Sequence, residues 1–526
     1  MIEFVKNGLK MVKNHNRHIK VMVLIMFLLH GAKLNANVVG IDTEALIFYG
    51  GKDFYQGWLN TGRQGLVLLK YLFQNVTFNP YFTAVLTLLV FPLAVSAFFL
   101  LWSRVGGVKN SFIVWSISGL LWISHPILTE QFYFSLQSFE IALGFLLTAV
   151  ALYLTLLWTA DKRRMWIFGV NVVLLVLTFS IYQAFVAFYI FGAVSVLFFQ
   201  TLREFSKETR KMVTGALTRT GSWILVFITA FLINTIITQK YFRSSNYLTE
   251  QINWGTATIW EIFRHICGHI ISVMLGRSPI FYSIFYGCLL ICSMTLLVVY
   301  LYRHGRTNKS GCIAVSFFYL VLQGSPFFMT LLQGGEPVLR SQLVLPAMTA
   351  LQVILCYWLI QNLAISSITV RRVILTCIMF LGLLGGVRTA KITWSLYYTE
   401  QLRYEQDVAL GRNLIQRLEK AYGQETESLP VIVVGTRPFH GNHSCTQGQV
   451  MGQSIFDWDA SAAPVPYHST RRILGFLHVL GADYDVASID RLEDALRYSE
   501  NMPKWPAENC VQIYNGMVIV KLSELN

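Results

Sequence analysis

The chain has 526 residues, 54% hydrophobic and only 13% charged, with a mean hydropathy of +0.50. A soluble globular protein carries about 25% charged residues, so a wholly water-soluble fold is excluded; long apolar runs fill most of the chain, and a bilayer core requires runs of about 20 residues. The net charge of +14 sits largely in short loops between those runs, where basic residues set membrane orientation, so no nucleic-acid partner is expected.

In chain order, Lys6, Lys10, Lys13, Arg17 and Lys20 lead into an apolar run at 20–37. That run lacks a clear small-residue cleavage site and reads as an uncleaved first span. Further runs fall near 81–101, 111–127, 139–158, 165–181, 184–200, 222–238, 279–301, 311–330, 342–361 and 372–390. The fold predicted is mainly α: a polytopic transmembrane bundle of about eleven spans over residues 1–394. With the N-terminus cytoplasmic, every inside segment is basic, through residues such as Arg104, Lys109, Lys162, Arg163, Lys207, Arg219, Arg306, Arg371 and Arg372. The outside loops are longer yet poorer in Lys and Arg, and loop 128–138 has none, as the positive-inside rule requires. An odd number of spans then puts the C-terminus outside a cytoplasmic (inner) membrane.

Residues 395–526 read as a small, extracytoplasmic soluble α/β domain. Leu402, Leu410, Leu414, Ile415 and Leu418 recur at helical spacing, and Pro430-Val-Ile-Val-Val reads as a strand. Residues 471–480 and 489–498 read as helices, and 510–521 as a hairpin turning at Asn515-Gly516. Six of the eight cysteines lie in or near spans as small packing residues. Cys445 and Cys510 lie in the tail and could form a disulfide in an oxidising compartment.

Chemistry-bearing residues gather on the predicted outer side. Asp42 and Glu44 follow the first span directly, where carboxylates cost energy unless hydrated or paired. They are candidates for a catalytic base or a metal contact, against a hydrated helix end. Arg63 lies in a partly apolar stretch with Trp58; its guanidinium could clamp a phosphate, or reach lipid headgroups. Glu130 follows His125-Pro126, Tyr182-Gln183 interrupts a tight turn between spans, and Glu336 and Arg340 border the tenth span. His125 reads as a helix-end hydrogen-bonding residue. His265 and His269 are four apart and could hold a metal, but a third ligand is not evident. No cofactor is required by the sequence, while a divalent cation is left open.

Several pieces carry a resemblance along the whole length: Ile41-Asp42-Thr43-Glu44, Gly57-Trp58-Leu59-Asn60-Thr61-Gly62-Arg63, Ser180-Ile181-Tyr182-Gln183, and Arg340-Ser341-Gln342 before Pro346. The tail adds Gly452-Gln453-Ser454-Ile455-Phe456-Asp457-Trp458-Asp459, Arg471-Arg472, and Met502-Pro503 followed by Trp505-Pro506. In these the sequence resembles the glucosyltransferase II-type family of multi-span enzymes that modify O-antigen and other surface polysaccharides. The resemblance implies a class C glycosyltransferase-like fold. It also implies a polyprenyl-phosphate sugar donor, with glucose the family's usual sugar, and a polysaccharide acceptor. It assigns an acceptor-side role to Asp42 and Glu44, and phosphate contact to Arg63 and Arg340. Many members have adjacent acids where this chain has Asp42-Thr43-Glu44, so either carboxylate could serve. A transporter or flippase of a lipid-linked sugar is the main alternative, with a non-catalytic scaffold behind it; no internal repeat of the transporter kind is seen.

Overall fold

The computed structural model describes residues 15–35, 38–161, 164–205, 209–242, 251–305, 308–363, 365–423 and 429–524. Lys6, Lys10, Lys13, Lys162, Arg163, Lys207 and Arg306 of the charge pattern lie outside the described residues.

The expected runs become helices. The first is α1 (Asn16–His30), continued by a 3-10 turn at Gly31–Leu34. The following outside segment is itself helical: α2 (Thr43–Asn60), kinked at Gly50 where φ is 76°, and α3 (Gln64–Leu72). Next come α4 (Pro80–Gly106), α5 (Phe112–Ile123), α6 (Pro126–Tyr133), α7 (Ser138–Ala160), α8 (Met165–Ile181), α9 (Ala184–Arg203) and α10 (Thr209–Tyr241). α4 shows why these boundaries fall where they do. The Asn79 side chain accepts from the Phe82 N–H, Pro80 occupies the first turn, and Gly107 closes the helix at a left-handed φ of 64°.

The second half holds α11 (Ile259–Leu275), α12 (Ile284–His304), α13 (Lys309–Gly324), α14 (Phe328–Gln333), α15 (Val344–Asn362) and α16 (Ile368–Tyr422). α11 lies in what reads from the sequence as a long loop. It is started by a reciprocal cap between Thr258 and Glu261 and leaves Ile259, Trp260 and Phe263 exposed.

Among the described residues, eight helices are long and apolar enough to cross a membrane, or nine if α5 and α6, bent by 51°, count as one. α8 is apolar but has 17 residues, and α1 has 15. α15 is buried almost throughout, whereas α10 turns much of its apolar surface outward. That pattern suits a bundle whose centre is protein and whose rim meets lipid. The centre is aromatic: Trp102 stacks on Trp122, and both pack near Phe98. The Trp102 indole N–H is satisfied by Ser195 Oγ at 2.8 Å.

α16 is a single helix of 55 residues, about 82 Å long at 1.5 Å per residue. It begins as an apolar segment and runs unbroken through residues 394 and 395, where the composition changes. Its far end supplies Leu414 and Leu418 to a second core, shared with Val431, Val433, Phe476, Val518 and Val520. There β1 (Val431–Val434) pairs in parallel with β3 (Met517–Lys521), which pairs antiparallel with β2 (Val511–Tyr514). The β2–β3 turn uses Asn515 and Gly516, both at positive φ (45° and 67°), as a two-residue hairpin requires. α17 (Tyr467–Val479) packs beside β1, and α18 (Leu492–Ser499) covers β1 and β3.

The disulfide that the sequence left open does not form: Cys445 and Cys510 are both free thiols. Thr446, next to Cys445, donates its N–H to Thr399 on α16, whereas Cys510 meets Arg417. Those two anchor residues are about five turns apart on one helix, roughly 27 Å. A disulfide needs Cα atoms within about 7 Å.

Candidate active site

Asp42 is the residue at which the chain turns into α2. It holds a left-handed φ of 72°, uncommon for any residue with a Cβ and affordable by aspartate. Two residues on, in the first turn of α2, Glu44 is fully buried, while the Asp42 side chain remains 39% exposed. Both point toward a cation from far along the chain. Arg472 on α17 places Nη1 2.7 Å from Glu44 Oε1 and 3.4 Å from Asp42 Oδ1. Its Nε donates to a third carboxylate, Asp459. The neighbouring Arg471 donates to the Tyr49 hydroxyl at 2.6 Å and stacks over the Tyr49 ring, so α17 is seated on α2 by two consecutive arginines.

The electrostatics follow from burial. Desolvation pushes the Glu44 carboxyl up to about 7; the Arg472 charge pulls the other way and Asp42 adds to the rise. Burial works against the Arg472 charge too, but Asp42, Glu44 and Asp459 more than offset it and hold the guanidinium further above its ordinary range. Three carboxylates thus share one planar cation, a geometry that arginine satisfies and lysine does not.

The other sequence candidates fall into two groups. In one, Arg63 donates to Gln137 Oε1 at 3.3 Å and lies over the Tyr182 ring, 5.2 Å from its centroid. Gln183 donates its amide to the Thr61 carbonyl, and Trp58 is buried against Phe54 and Tyr55, with its own carbonyl accepting the Arg63 N–H. Trp58, Tyr182 and Gln183 therefore surround the turn that carries Arg63. In the other group, Arg340 lies over the Phe134 ring at 4.9 Å, and the buried Glu130 accepts the N–H groups of Val450 (3.0 Å) and Met451 (3.4 Å). A Cβ at Gly448 would overlap Glu130 Oε1, so glycine is what lets this loop close over the acid.

One short segment links the three groups. Within residues 130–137, Glu130 holds the tail loop, the Tyr133 hydroxyl accepts from the Ile41 N–H at 3.4 Å, Phe134 carries Arg340, and Gln137 carries Arg63. Ile41, Tyr133, Phe134, Val450 and Met451 also form one apolar cluster with Trp458 packed against it. In sequence this is the outside loop that lacks Lys and Arg and carries the candidate Glu130.

Behind the tail loop lies a buried triad on α16. Arg403 pairs with Glu400 and with Asp407 at 2.9 Å. Asp407 accepts the Ser454 hydroxyl (2.7 Å) and the Ile455 N–H (3.0 Å), and Glu400 accepts the Gly452 N–H (2.7 Å). Ser454 is thus a docking residue. The spacing of Glu400, Arg403 and Asp407 was visible as a helical ion-pair pattern, but its burial was not.

The histidines have hydrogen-bonding duties. His125 caps α6 through the Ile127 N–H. His269 is buried between the hydroxyls of Thr330 (2.9 Å) and Tyr282 (3.0 Å), and Tyr282 donates to Glu336. Among the described residues no group of three or more His, Cys, Asp or Glu could hold a metal ion. Asp42, Glu44 and Asp459 converge on the Arg472 guanidinium.

Comparison with curated proteins and with solved structures gives no match. The model of the family described as Glucosyl transferase GtrII matches residues 31–357. That stretch includes Asp42, Glu44, Trp58, Arg63, Glu130, Tyr182, Gln183 and Arg340, and stops before Asp459 and Arg472. Covering more than half of the chain, the match shows that this protein belongs to the GtrII glucosyl transferase family.

Proposed function

We propose that the protein transfers glucose from a polyprenyl-phosphate donor to a hydroxyl of a surface polysaccharide such as O-antigen, on the outer face of the cytoplasmic membrane. In this reading about eleven helices span the bilayer, counting α1, α8 and the bent α5–α6 pair, with the N-terminus inside and the tail outside. The single observation that carries it is the carboxylate pair Asp42 and Glu44, held by Arg472 where the bundle meets the tail.

Asp42 is the base, because it is the carboxylate an acceptor can reach. It takes the proton of the acceptor hydroxyl as that oxygen bonds to the anomeric carbon. The bond from that carbon to the phosphate oxygen breaks, and its electron pair leaves with the polyprenyl phosphate. The leaving group is already anionic and needs charge stabilisation more than a proton. Arg63 and Arg340 supply it, with Tyr182 and Gln183 shaping the Arg63 side. Buried Glu44 orients Arg472, and through it the Asp42 carboxylate.

The test is the Asp42→Asn, Glu44→Gln double variant, checked for membrane insertion and folding and then for linkage changes in the polysaccharide. Loss of glucosylation with normal insertion is expected. Full modification by a correctly inserted double variant would end the proposal.

A further inference from the structure

Beside the acid pair, the tail opens into a cleft of about 730 Å³ that the transfer chemistry has not used. Pockets of roughly 300–1,000 Å³ are the size that small-molecule and oligosaccharide-sized ligands fill. Its wall includes Gln453, residues 457–462 and Glu524. That wall is fixed from behind: the Asp457 N–H donates to the Ser454 carbonyl, and Ser454 is tied to Asp407 on α16.

Two of its residues reach the acid pair by independent routes. Asp459 lines the cleft and also accepts from Arg472, the residue that holds Asp42 and Glu44. Trp458 lines the cleft and packs against the cluster containing Ile41, the residue before Asp42.

The lining chemistry selects the ligand. Asp457, Asp459 and Glu524 offer carboxylate acceptors, Gln453 and Ser461 offer amide and hydroxyl groups, and Trp458 offers an indole face. Among the described residues, none lining the cleft is Lys or Arg. Three carboxylates line the cleft, Asp459 paired with Arg472 and Glu524 with Lys521 at 2.8 Å, and by engaging both cations they leave little positive charge to draw a phosphate or other anion. They suit a neutral, polyhydroxylated ligand, whose paired hydroxyls donate to carboxylates and whose C–H face stacks on an aromatic ring.

We propose that this cleft is the acceptor subsite, holding neutral sugar residues of the acceptor chain so that one hydroxyl reaches Asp42, while the lipid phosphate of the donor is held elsewhere. The proposal rests on the transfer reaction above and names its acceptor side.

The test uses the full chain in detergent. The probe is a lipid-free oligosaccharide cut from the surface polysaccharide of the producing cell, followed by saturation-transfer NMR and in a transfer assay. Trp458→Ala removes the stacking face. Ser461→Trp, at an exposed position, fills the cleft without disturbing a core. Each variant is expected to weaken oligosaccharide binding about ten-fold and to raise the acceptor KM by a similar factor. In Ser461→Trp, which does not touch the acid pair's supports, the donor KM and kcat should change by less than about two-fold. Asp42→Asn should bind the oligosaccharide as the parent does while failing to transfer. Parent-like binding by both cleft variants, no binding by the parent, or displacement of the oligosaccharide by glucose 1-phosphate would each overturn the proposal. Transfer by the double acid variant, with binding still lost in the cleft variants, would instead sink the catalytic assignment and leave the cleft standing.

Discussion

Glu44 shows how one buried side chain ties stability to chemistry. Burial raises its carboxyl to about 7 from an ordinary 4.5. A carboxyl raised on folding stabilises the fold in its protonated form. That contribution is complete below about 4.5 and is lost as pH rises through about 7. Over the same window Glu44 becomes the anion that pairs with Arg472 and fixes it beside Asp42. Transfer is therefore expected to rise with pH through about 7, while thermal stability falls. Glu44→Gln should flatten both dependences, and pH–rate profiles with melting curves of the two proteins check it; an unchanged limb in Glu44→Gln would remove Glu44 from the mechanism. Asp42 and Glu44 were legible in the sequence because acids directly after an apolar run are costly and conspicuous. Arg472 was legible only as part of a basic pair on a tail helix. Its partners Asp42 and Glu44 lie 430 and 428 residues away, and no local pattern announces them.

At the scale of elements, α16 and the loop it grips decide the site's shape. Asp407 satisfies Arg403, the Ser454 hydroxyl and the Ile455 N–H at once, and all are buried. Removing one partner of a buried charged pair costs about 3–5 kcal/mol, because the other is left uncompensated. Asp407→Ala is expected to lower stability by that order and to open the loop that carries Asp457 to Asp459. Limited proteolysis of residues 440–466 and thermal melting measure both effects; a variant as stable and as resistant as the parent would refute the clamp. The helical spacing of Leu410, Leu414 and Leu418 announced this part of α16, and Asn515-Gly516 announced the hairpin, since turn chemistry and periodicity are local. The helix α11 escaped detection because Glu261, Arg264, His265 and His269 interrupt its apolar residues, and its start is set by a cap rather than by a continuous apolar run. At residues 394 and 395 the composition changes while the helix α16 continues.

For the molecule as a whole, orientation is the consequential quantity. A variant keeping only Cys445, which is partly exposed, is expected to react with a membrane-impermeant maleimide from the outer face of intact cells. Labelling only after lysis would turn the topology over and with it the proposed side of transfer. The sequence by itself determined that the chain is a helical membrane protein, roughly where its apolar helices run, and which acids and arginines stand at their ends. Those follow from hydropathy and charge, which each segment carries alone. Tertiary structure decided that α17 docks on α2 so that Arg472 closes over Asp42 and Glu44, that residues 130–137 join the three candidate groups, and that the two tail cysteines stay apart. Such pairings depend on which faces bury against each other across hundreds of residues, and that is a property of the packed whole.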